Sequence, residues 1–119
     1  MNFSELGLCD ELSQAVADLG YTAPTPIQEK SIPYVLMGRD ILGSAQTGTG
    51  KTASFTLPMI EILASGRAKA RLPRSLILAP TRELAAQVAD SFQKFSTYHK
   101  LSMALLIGGV SFALSLIHI

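Results

Sequence analysis

The stretch Ala45-Gln46-Thr47-Gly48-Thr49-Gly50-Lys51-Thr52 decides the fold of this chain. An apolar run at 40–43 precedes it, and a run compatible with a helix at 53–57 follows it. A strand, a glycine-containing loop and a helix that opens with Lys-Thr are typical of a phosphate-binding loop. The sequence therefore predicts a site for a nucleotide polyphosphate at 45–52, although the general pattern has glycine at the position of Ala45.

The residue types in this loop match the chemistry of an anion site. Gly48 and Gly50 lack a Cβ and can take positive φ, so successive backbone N–H groups can turn toward one anion. The helix that follows aims its free N–H groups and the positive end of its dipole at the same anion. Lys51 adds a full positive charge, and the Thr52 hydroxyl is placed to ligate an accompanying Mg²⁺. The alternative is a simple glycine turn between a strand and a helix.

Composition bounds the class of protein without naming a partner. The chain has 119 residues, 48% of them hydrophobic, which suffices for one small core. Cys9 is the single cysteine, so no intrachain disulfide can form, and His99 and His118 stand apart in sequence and are not read as metal ligands. No stretch is suited to crossing a bilayer or to secretion, so we expect no membrane association and a cytoplasmic location. The net charge of +1 neither demands nor excludes a nucleic acid.

The hydrophobic pattern alternates between helices and strands. The expected helices cover residues 10–19, 26–37, 51–64 and 81–95. The expected strands are the apolar runs 40–43, 75–79 and 103–107. This order predicts an α/β fold with an open, mostly parallel sheet flanked by helices.

Four blocks of sequence together resemble the first RecA-like domain of DEAD-box RNA helicases, and the resemblance covers about residues 1–111. The blocks are Phe3 with 20–28, then 45–52, 80–85 and 108–109. That family normally carries alanine at the start of the phosphate loop, which accounts for Ala45. Within the family the chain is most similar to bacterial members that begin almost directly with the first block.

The resemblance implies ATP and Mg²⁺ as cofactors and RNA as a partner held through its backbone without regard to sequence. The implied nucleotide-binding residues are Phe3, Tyr21, Thr25, Gln28, Ala45, Gln46, Thr47, Gly48, Thr49, Gly50, Lys51 and Thr52. Lys51 and Thr52 have implied catalytic roles, and Thr52 is the implied metal ligand. The implied RNA contacts are Pro80, Thr81, Arg82, Gly108 and Gly109.

The residues outside the phosphate loop also have plainer interpretations. The Gln28 amide can pair with the adenine edge, but Thr25-x-x-Gln28 is also a capping box. The rings of Phe3 and Tyr21 can stack on a base or lie in the core. Thr81 can cap a helix, and the Arg next to it can be an exposed side chain paired with a nearby carboxylate.

The resemblance divides the chain into a helical segment with the adenine-reading element at 1–38, a partial RecA-like domain at 39–111 and an atypical apolar tail at 112–119. The family's later blocks are absent: the acidic strand end, the Ser-Ala-Thr element and the second RecA-like domain. We therefore expect an incomplete N-terminal fragment of an ATP-dependent RNA helicase, inactive in unwinding by itself. The alternatives are a DNA helicase or translocase and a non-catalytic nucleotide-binding fragment.

Overall fold

The computed structural model describes residues 2–46, 48, 50–65 and 74–107. In these ranges the chain folds as helices around one core. The elements are a short 3-10 helix at Phe3–Leu6, α1 at Asp10–Asp18, α2 at Pro26–Leu36, α3 at Lys51–Ser65 and α4 at Arg82–Phe95. The four expected α-helices are confirmed, with ends that differ by only a few residues from those expected.

Capping residues set where α2 and α4 begin. Thr25 is extended, with φ −76° and ψ 164°, and Pro26 occupies the first helical position, where its missing N–H costs no hydrogen bond. Thr81 is also extended, and its hydroxyl oxygen accepts a hydrogen bond from the Leu84 backbone N–H at 3.1 Å. Thr81 thereby satisfies a backbone donor of the first turn of α4, whereas at the start of α2 the Gln28 side chain accepts from the Thr25 N–H.

Replacing Thr81 with alanine tests the cap of α4. Thr81→Ala should lower the free energy of unfolding by about 1 kcal/mol, because the Leu84 N–H loses its side-chain acceptor. Urea unfolding monitored by circular dichroism measures this difference. Thr81→Ser keeps the hydroxyl and should stay within about 0.5 kcal/mol of wild type. Equal losses for the two variants would contradict the capping role.

Helix α3 forms the centre of the core and packs against both α2 and α4. Its residues Leu57 and Ile60 are fully buried. The buried cluster around them draws on every helical element and consists of Phe3, Leu6, Leu8, Leu12, Val16, Ile32, Leu57, Ile60, Phe92 and Phe95. The loop that precedes α3 is therefore attached to the helix at the centre of the described core.

The three predicted strands are not found among the described residues. The runs 40–43, 75–79 and 103–107 have no assigned strand, and no described backbone hydrogen bond joins one run to another. A parallel strand exists only where a neighbouring strand pairs with its N–H and C=O groups. Because these runs lack such neighbours here, their apolar sequence alone does not make a sheet.

Two of these runs, 75–79 and 103–107, still alternate in exposure along the chain. Leu76 and Leu78 are 81% and 85% exposed, whereas Ile77 between them is 38% exposed. Residues 101–107 alternate between half-buried and exposed, and Leu101 and Met103 pack against the core. A period of two residues is the side-chain pattern of extended backbone, so each run turns one side toward the helices and leaves the other uncovered.

The segment before α1 contacts α3 and the segment that follows α4. The Cys9 backbone N–H donates to Glu61 Oε2 at 3.1 Å, and Cys9 Sγ lies 3.7 Å from His99 Nε2. Burial, followed by the hydrogen bond with Glu61, raises the pKa of the Cys9 thiol from 9.0 to about 11. The thiol therefore acts as a small, protonated packing group at neutral pH.

The raised pKa predicts a slow reaction of Cys9 with iodoacetamide. Only the thiolate reacts, so at pH 8 alkylation should be about a hundredfold slower than for a cysteine of ordinary pKa, and the rate should keep rising to near pH 11. Mass spectrometry of timed samples gives the rate, and the urea-unfolded chain is the control, in which the ordinary rate returns. A rate that levels off near pH 9 in the folded chain would contradict this assignment.

Candidate nucleotide-binding site

The loop that leads into α3 has the backbone conformation that its glycines predict. Gly48 has φ +84° and Gly50 has φ +85°, both in the left-handed region that side chains disfavour. Ala45 is half-buried and Gln46 is exposed. Thr47 and Thr49 lie outside the described residues. The expectation of positive φ at both described glycines is confirmed.

The N-terminus of α3 offers donors to an anion. The first helical hydrogen bond is donated by the Ser54 N–H to the Gly50 carbonyl at 3.2 Å. The backbone N–H groups of Lys51 and Thr52 therefore precede the first donor that has a carbonyl partner inside the helix. The Lys51 side chain is exposed, and Thr52 is half-buried one residue further along. The helix N-terminus and the exposed lysine that opens it are the groups expected at a polyphosphate site.

Gln28 links the phosphate loop to the start of α2. Its side chain is 3% exposed. Its Oε1 accepts a hydrogen bond from the Thr25 N–H at 3.0 Å, and its Nε2 donates to the Gly50 carbonyl at 3.1 Å. The first bond is the capping interaction expected from the spacing. The second bond crosses from residue 28 to residue 50, and sequence spacing gave no sign of it.

Gly50 is also constrained by space. A Cβ at position 50 would overlap Gln28 Nε2 and lie 3.2 Å from Thr25 Oγ1. Gly20 has a similar φ of +88°, but a Cβ there would meet nothing within 4 Å. The two glycines therefore share backbone strain and differ in crowding.

This difference predicts unequal effects of Gly50→Ala and Gly20→Ala. Both variants should lose about 1 kcal/mol through the left-handed φ, and Gly50→Ala should lose about 1–3 kcal/mol more through displacement of the buried Gln28 amide. Urea unfolding of the two variants measures the difference. Equal costs would show that the Gln28 amide does not constrain position 50.

The two aromatic residues of the adenine-reading element lie in different surroundings. Phe3 is 6% exposed and belongs to the core cluster, so its position fits the core interpretation and leaves little ring surface for a base. Tyr21 is 52% exposed, and its ring centroid lies 6.2 Å from that of Phe95 at a tilt of 52°. Tyr21 therefore has a ring accessible to solvent, whereas Phe3 does not. The buried Thr25 Oγ1 lacks a hydrogen-bond partner.

A cleft of about 430 Å³ opens between α2 and α3 beside the loop. Its walls are Ile27, Ser31, Val35, Arg39, Asp40, Ile41, Gly43, Lys51, Ser54 and Phe55. Of these, only Lys51 was expected at a binding site. Ile27, Ser31 and Val35 are spaced four residues apart along α2. This spacing places them on one face of the helix, so it is a sequence signal by which three of the other lining residues could have been found.

The residues expected to contact RNA surround the start of α4. Pro80, Thr81 and Arg82 are exposed, and Thr81 uses its hydroxyl as the helix cap. The cap is the plainer of the two roles considered for Thr81, and it leaves the exposed helix N-terminus available to a phosphate. Gly108 and Gly109 lie outside the described residues.

Two further features concern metals and membranes. Among the described residues, no group of three or more His, Cys, Asp and Glu side chains is arranged to hold a metal ion. A magnesium ion that accompanies a polyphosphate needs fewer protein ligands, since the phosphates supply oxygens, so Thr52 as its ligand stays a prediction. No helix within the described ranges combines the length and apolar character required for a membrane span.

The left-handed glycines, the helix that opens with Lys-Thr and the exposed lysine are the features expected of a phosphate-binding loop. Residues 25–118 match the model of the family described as DEAD/DEAH box helicase. The chain belongs to this family. The match begins inside the expected segment 1–38 and extends into 112–119, so the three-part division of the chain stays a prediction.

Curated relatives include two fungal proteins. The chain is 52% identical to the ATP-dependent rRNA helicase rrp3 of Aspergillus terreus over 108 residues, which are 91% of this chain and 24% of that protein. It is 49% identical to rrp-3 of Neurospora crassa over 91% of this chain and 20% of that protein. The chain thus spans about a quarter of the length of these relatives, and the similarity to bacterial members stays a prediction.

Solved structures show the same fold. A DEAD box protein from Methanococcus jannaschii superposes with a TM-score of 0.89 at 39% identity, over 99% of this chain and 32% of that chain. The RNA helicase Prp28 from Chaetomium thermophilum bound to ADP superposes with a TM-score of 0.86 at 41% identity, over 96% of this chain and 30% of that chain. The structural neighbours are RecA-like helicase domains, so the described helices are arranged as in part of such a domain.

Proposed function

We propose that this chain forms the nucleotide-binding part of an ATP-dependent RNA helicase, in which RNA stimulates ATP hydrolysis and hydrolysis is coupled to unwinding or remodelling of RNA. The observation that carries the proposal is the backbone of Gly48 and of residues 50–52, where two left-handed glycines precede a helix that begins at Lys51. The relative with bound ADP and the relatives named as RNA helicases support the same function.

In this proposal the polyphosphate of ATP lies against the backbone N–H groups at the start of α3. Lys51 neutralises the outer phosphates, and its exposure leaves it free of the core. Thr52 would hold the Mg²⁺, which supplies positive charge to the phosphate oxygens. Tyr21 offers the open ring surface for the base. The Gln28 side chain is 3% exposed. Its amide must therefore become accessible before it can pair with adenine.

The apolar runs and the residues at the start of α4 also have roles in the proposed helicase. The runs 40–43, 75–79 and 103–107 are strands of an open, mostly parallel sheet in the complete protein. The two-residue alternation of exposure in 75–79 and 103–107 supports this assignment. The start of α4, with Pro80, Thr81 and Arg82, contacts the RNA backbone through the helix N-terminus and the Arg guanidinium.

Nucleic-acid stimulation of ATP hydrolysis tests the proposal in the complete protein that contains this chain. Phosphate release should rise with single-stranded RNA and stay near its basal rate with DNA of the same sequence. Hydrolysis stimulated equally by DNA would favour the DNA translocase instead. A complete protein that does not hydrolyse ATP under either condition would overturn the proposed function.

A further inference from the structure

The ring of Tyr21 packs against the C-terminal end of α4. Its centroid lies 6.2 Å from that of Phe95, the last residue of α4, and the two ring planes are tilted by 52°. Phe95 is 4% exposed, whereas Tyr21 is 52% exposed. One ring of the pair therefore belongs to the core, and the other lies on it with much of its surface open to solvent.

The backbone of Tyr21 is held by the end of α1. Gly20 has a φ of +88°, and its N–H donates to the Ala17 carbonyl at 3.0 Å. The Tyr21 N–H donates to the Val16 carbonyl at 3.1 Å. These two bonds form a Schellman motif, in which a left-handed glycine ends a helix and the next residue is bonded back to the last turn. The direction in which Tyr21 leaves α1 is thus fixed.

A further contact joins the end of α1 to the turn that follows α4. The Tyr98 hydroxyl donates a hydrogen bond to the carboxylate of Asp18, the last residue of α1. Gln14 Nε2 donates to the same carboxylate at 2.7 Å. The end of α1 and the end of α4 are therefore held together on both sides of the Tyr21 ring, through its backbone and through Phe95.

We infer that Phe95 is a positioning residue for the base of the nucleotide, acting through the ring of Tyr21. This inference rests on the proposed function and extends it to a residue outside the four blocks of sequence. A ring that is held in place before the base arrives loses less side-chain entropy on stacking. Stacking uses the flat face that every base has, so the contribution of Phe95 depends on the base and not on the phosphates.

Nuclear Overhauser effects between the rings of Tyr21 and Phe95 test the contact in the wild-type chain, without any substitution. We expect these effects in the free chain and in the chain saturated with ATP and Mg²⁺. ATP should also shift the ring protons of Tyr21, whereas inorganic tripolyphosphate with Mg²⁺ should leave them in place, because it has no base. Absence of the effects in the free chain, or the same response of Tyr21 to both ligands, would overturn the inference.

A pair of phenylalanine variants separates positioning from loss of packing. Phe95→Leu removes the supporting ring and keeps an apolar side chain. Phe92→Leu makes the same change three residues earlier in α4, at a side chain that is 6% exposed and belongs to the same core cluster. In calorimetric titrations with Mg²⁺, Phe95→Leu should weaken ATP by about 3- to 10-fold, a part of the stacking energy, and leave tripolyphosphate within about twofold of wild type. Phe92→Leu should leave both affinities within about twofold.

Tyr21→Leu completes a double-mutant cycle. Because Phe95 acts through the Tyr21 ring, Phe95→Leu should not weaken ATP further in a chain that already carries Tyr21→Leu. Additive losses, or equal losses for the two phenylalanine variants, would overturn the inference and leave ATP binding intact. A wild-type chain that binds neither ATP nor tripolyphosphate would overturn the proposed function and the inference together. Thermal melting verifies that each variant is folded, and if a phenylalanine variant is not, the wild-type spectra decide.

Discussion

Lys51→Ala should weaken the binding of ATP to this chain by about 10- to 100-fold, because the outer phosphates lose a charge-assisted partner. The exposed side chain of Lys51 has no part in the core, so the variant should melt at the same temperature as wild type. Isothermal titration with ATP and Mg²⁺ gives both affinities. In the complete protein the same substitution should abolish ATP turnover.

Lys30→Ala is the matched control for the loss of one positive charge, since Lys30 is also exposed and lies on α2. Its ATP affinity should stay within twofold of wild type. If the two lysine variants bound ATP equally well, the ammonium group at the start of α3 would not contact the phosphates, and the mechanism would be wrong.

Leu57→Ala should lower the free energy of unfolding by about 2–5 kcal/mol, since it removes a fully buried side chain from the centre of α3 and leaves a cavity. Leu42→Ala makes the same chemical change at a side chain that is 101% exposed and should stay within about 0.5 kcal/mol of wild type. Urea unfolding measures both values. A loss of this size is a large share of the stability of a small domain, so Leu57→Ala with little or no folded population agrees with the prediction.

The comparison of these two leucines decides where the core of the chain lies. If Leu42→Ala destabilised the chain as strongly as Leu57→Ala, the run 40–43 would be covered by other residues in solution, and the description of an open side at this run would be wrong. If neither variant had an effect, α3 would not be the central helix.

The helices of this chain could be predicted because their signals are local. Thr25 with Pro26 and Thr81 mark the starts of α2 and α4, and the observed caps lie at those residues. The period of apolar residues in α4 predicts one face with Leu84, Val88, Phe92 and Phe95, of which the last three are buried and Leu84 is 38% exposed. Capping and helical periodicity act within four residues, so the sequence contains all the information that they need.

The sheet could not be predicted from local sequence alone, because a strand forms only where a neighbouring strand pairs with it. The run 75–79 has the apolar composition of a covered strand, yet Leu76 and Leu78 are mostly exposed and no ladder joins the run to another among the described residues. The amino-acid composition of a segment indicates the structure that it favours when it is paired with neighbouring strands and covered by other residues. It does not report whether the pairing segments are present.

The candidate site was predictable in part. The glycine conformations at 48 and 50 follow from the residue types, and the sequence places Lys51 at the helix start. The Gln28–Gly50 hydrogen bond was not predictable, because two residues 22 positions apart meet only after α2 and α3 pack. The sequence left two positions open for Phe3, the base site and the core. Its side chain is 6% exposed, which fits the core.

Titration of the ¹⁵N-labelled chain with ATP and Mg²⁺, followed by amide chemical shifts, tests the central claim that the loop and the start of α3 hold a polyphosphate. The account predicts saturable shifts for Gly48, Gly50, Lys51 and Thr52, reproduced by tripolyphosphate and strongly reduced in Lys51→Ala. Shifts confined to other parts of the chain, or none at millimolar ATP, would contradict it.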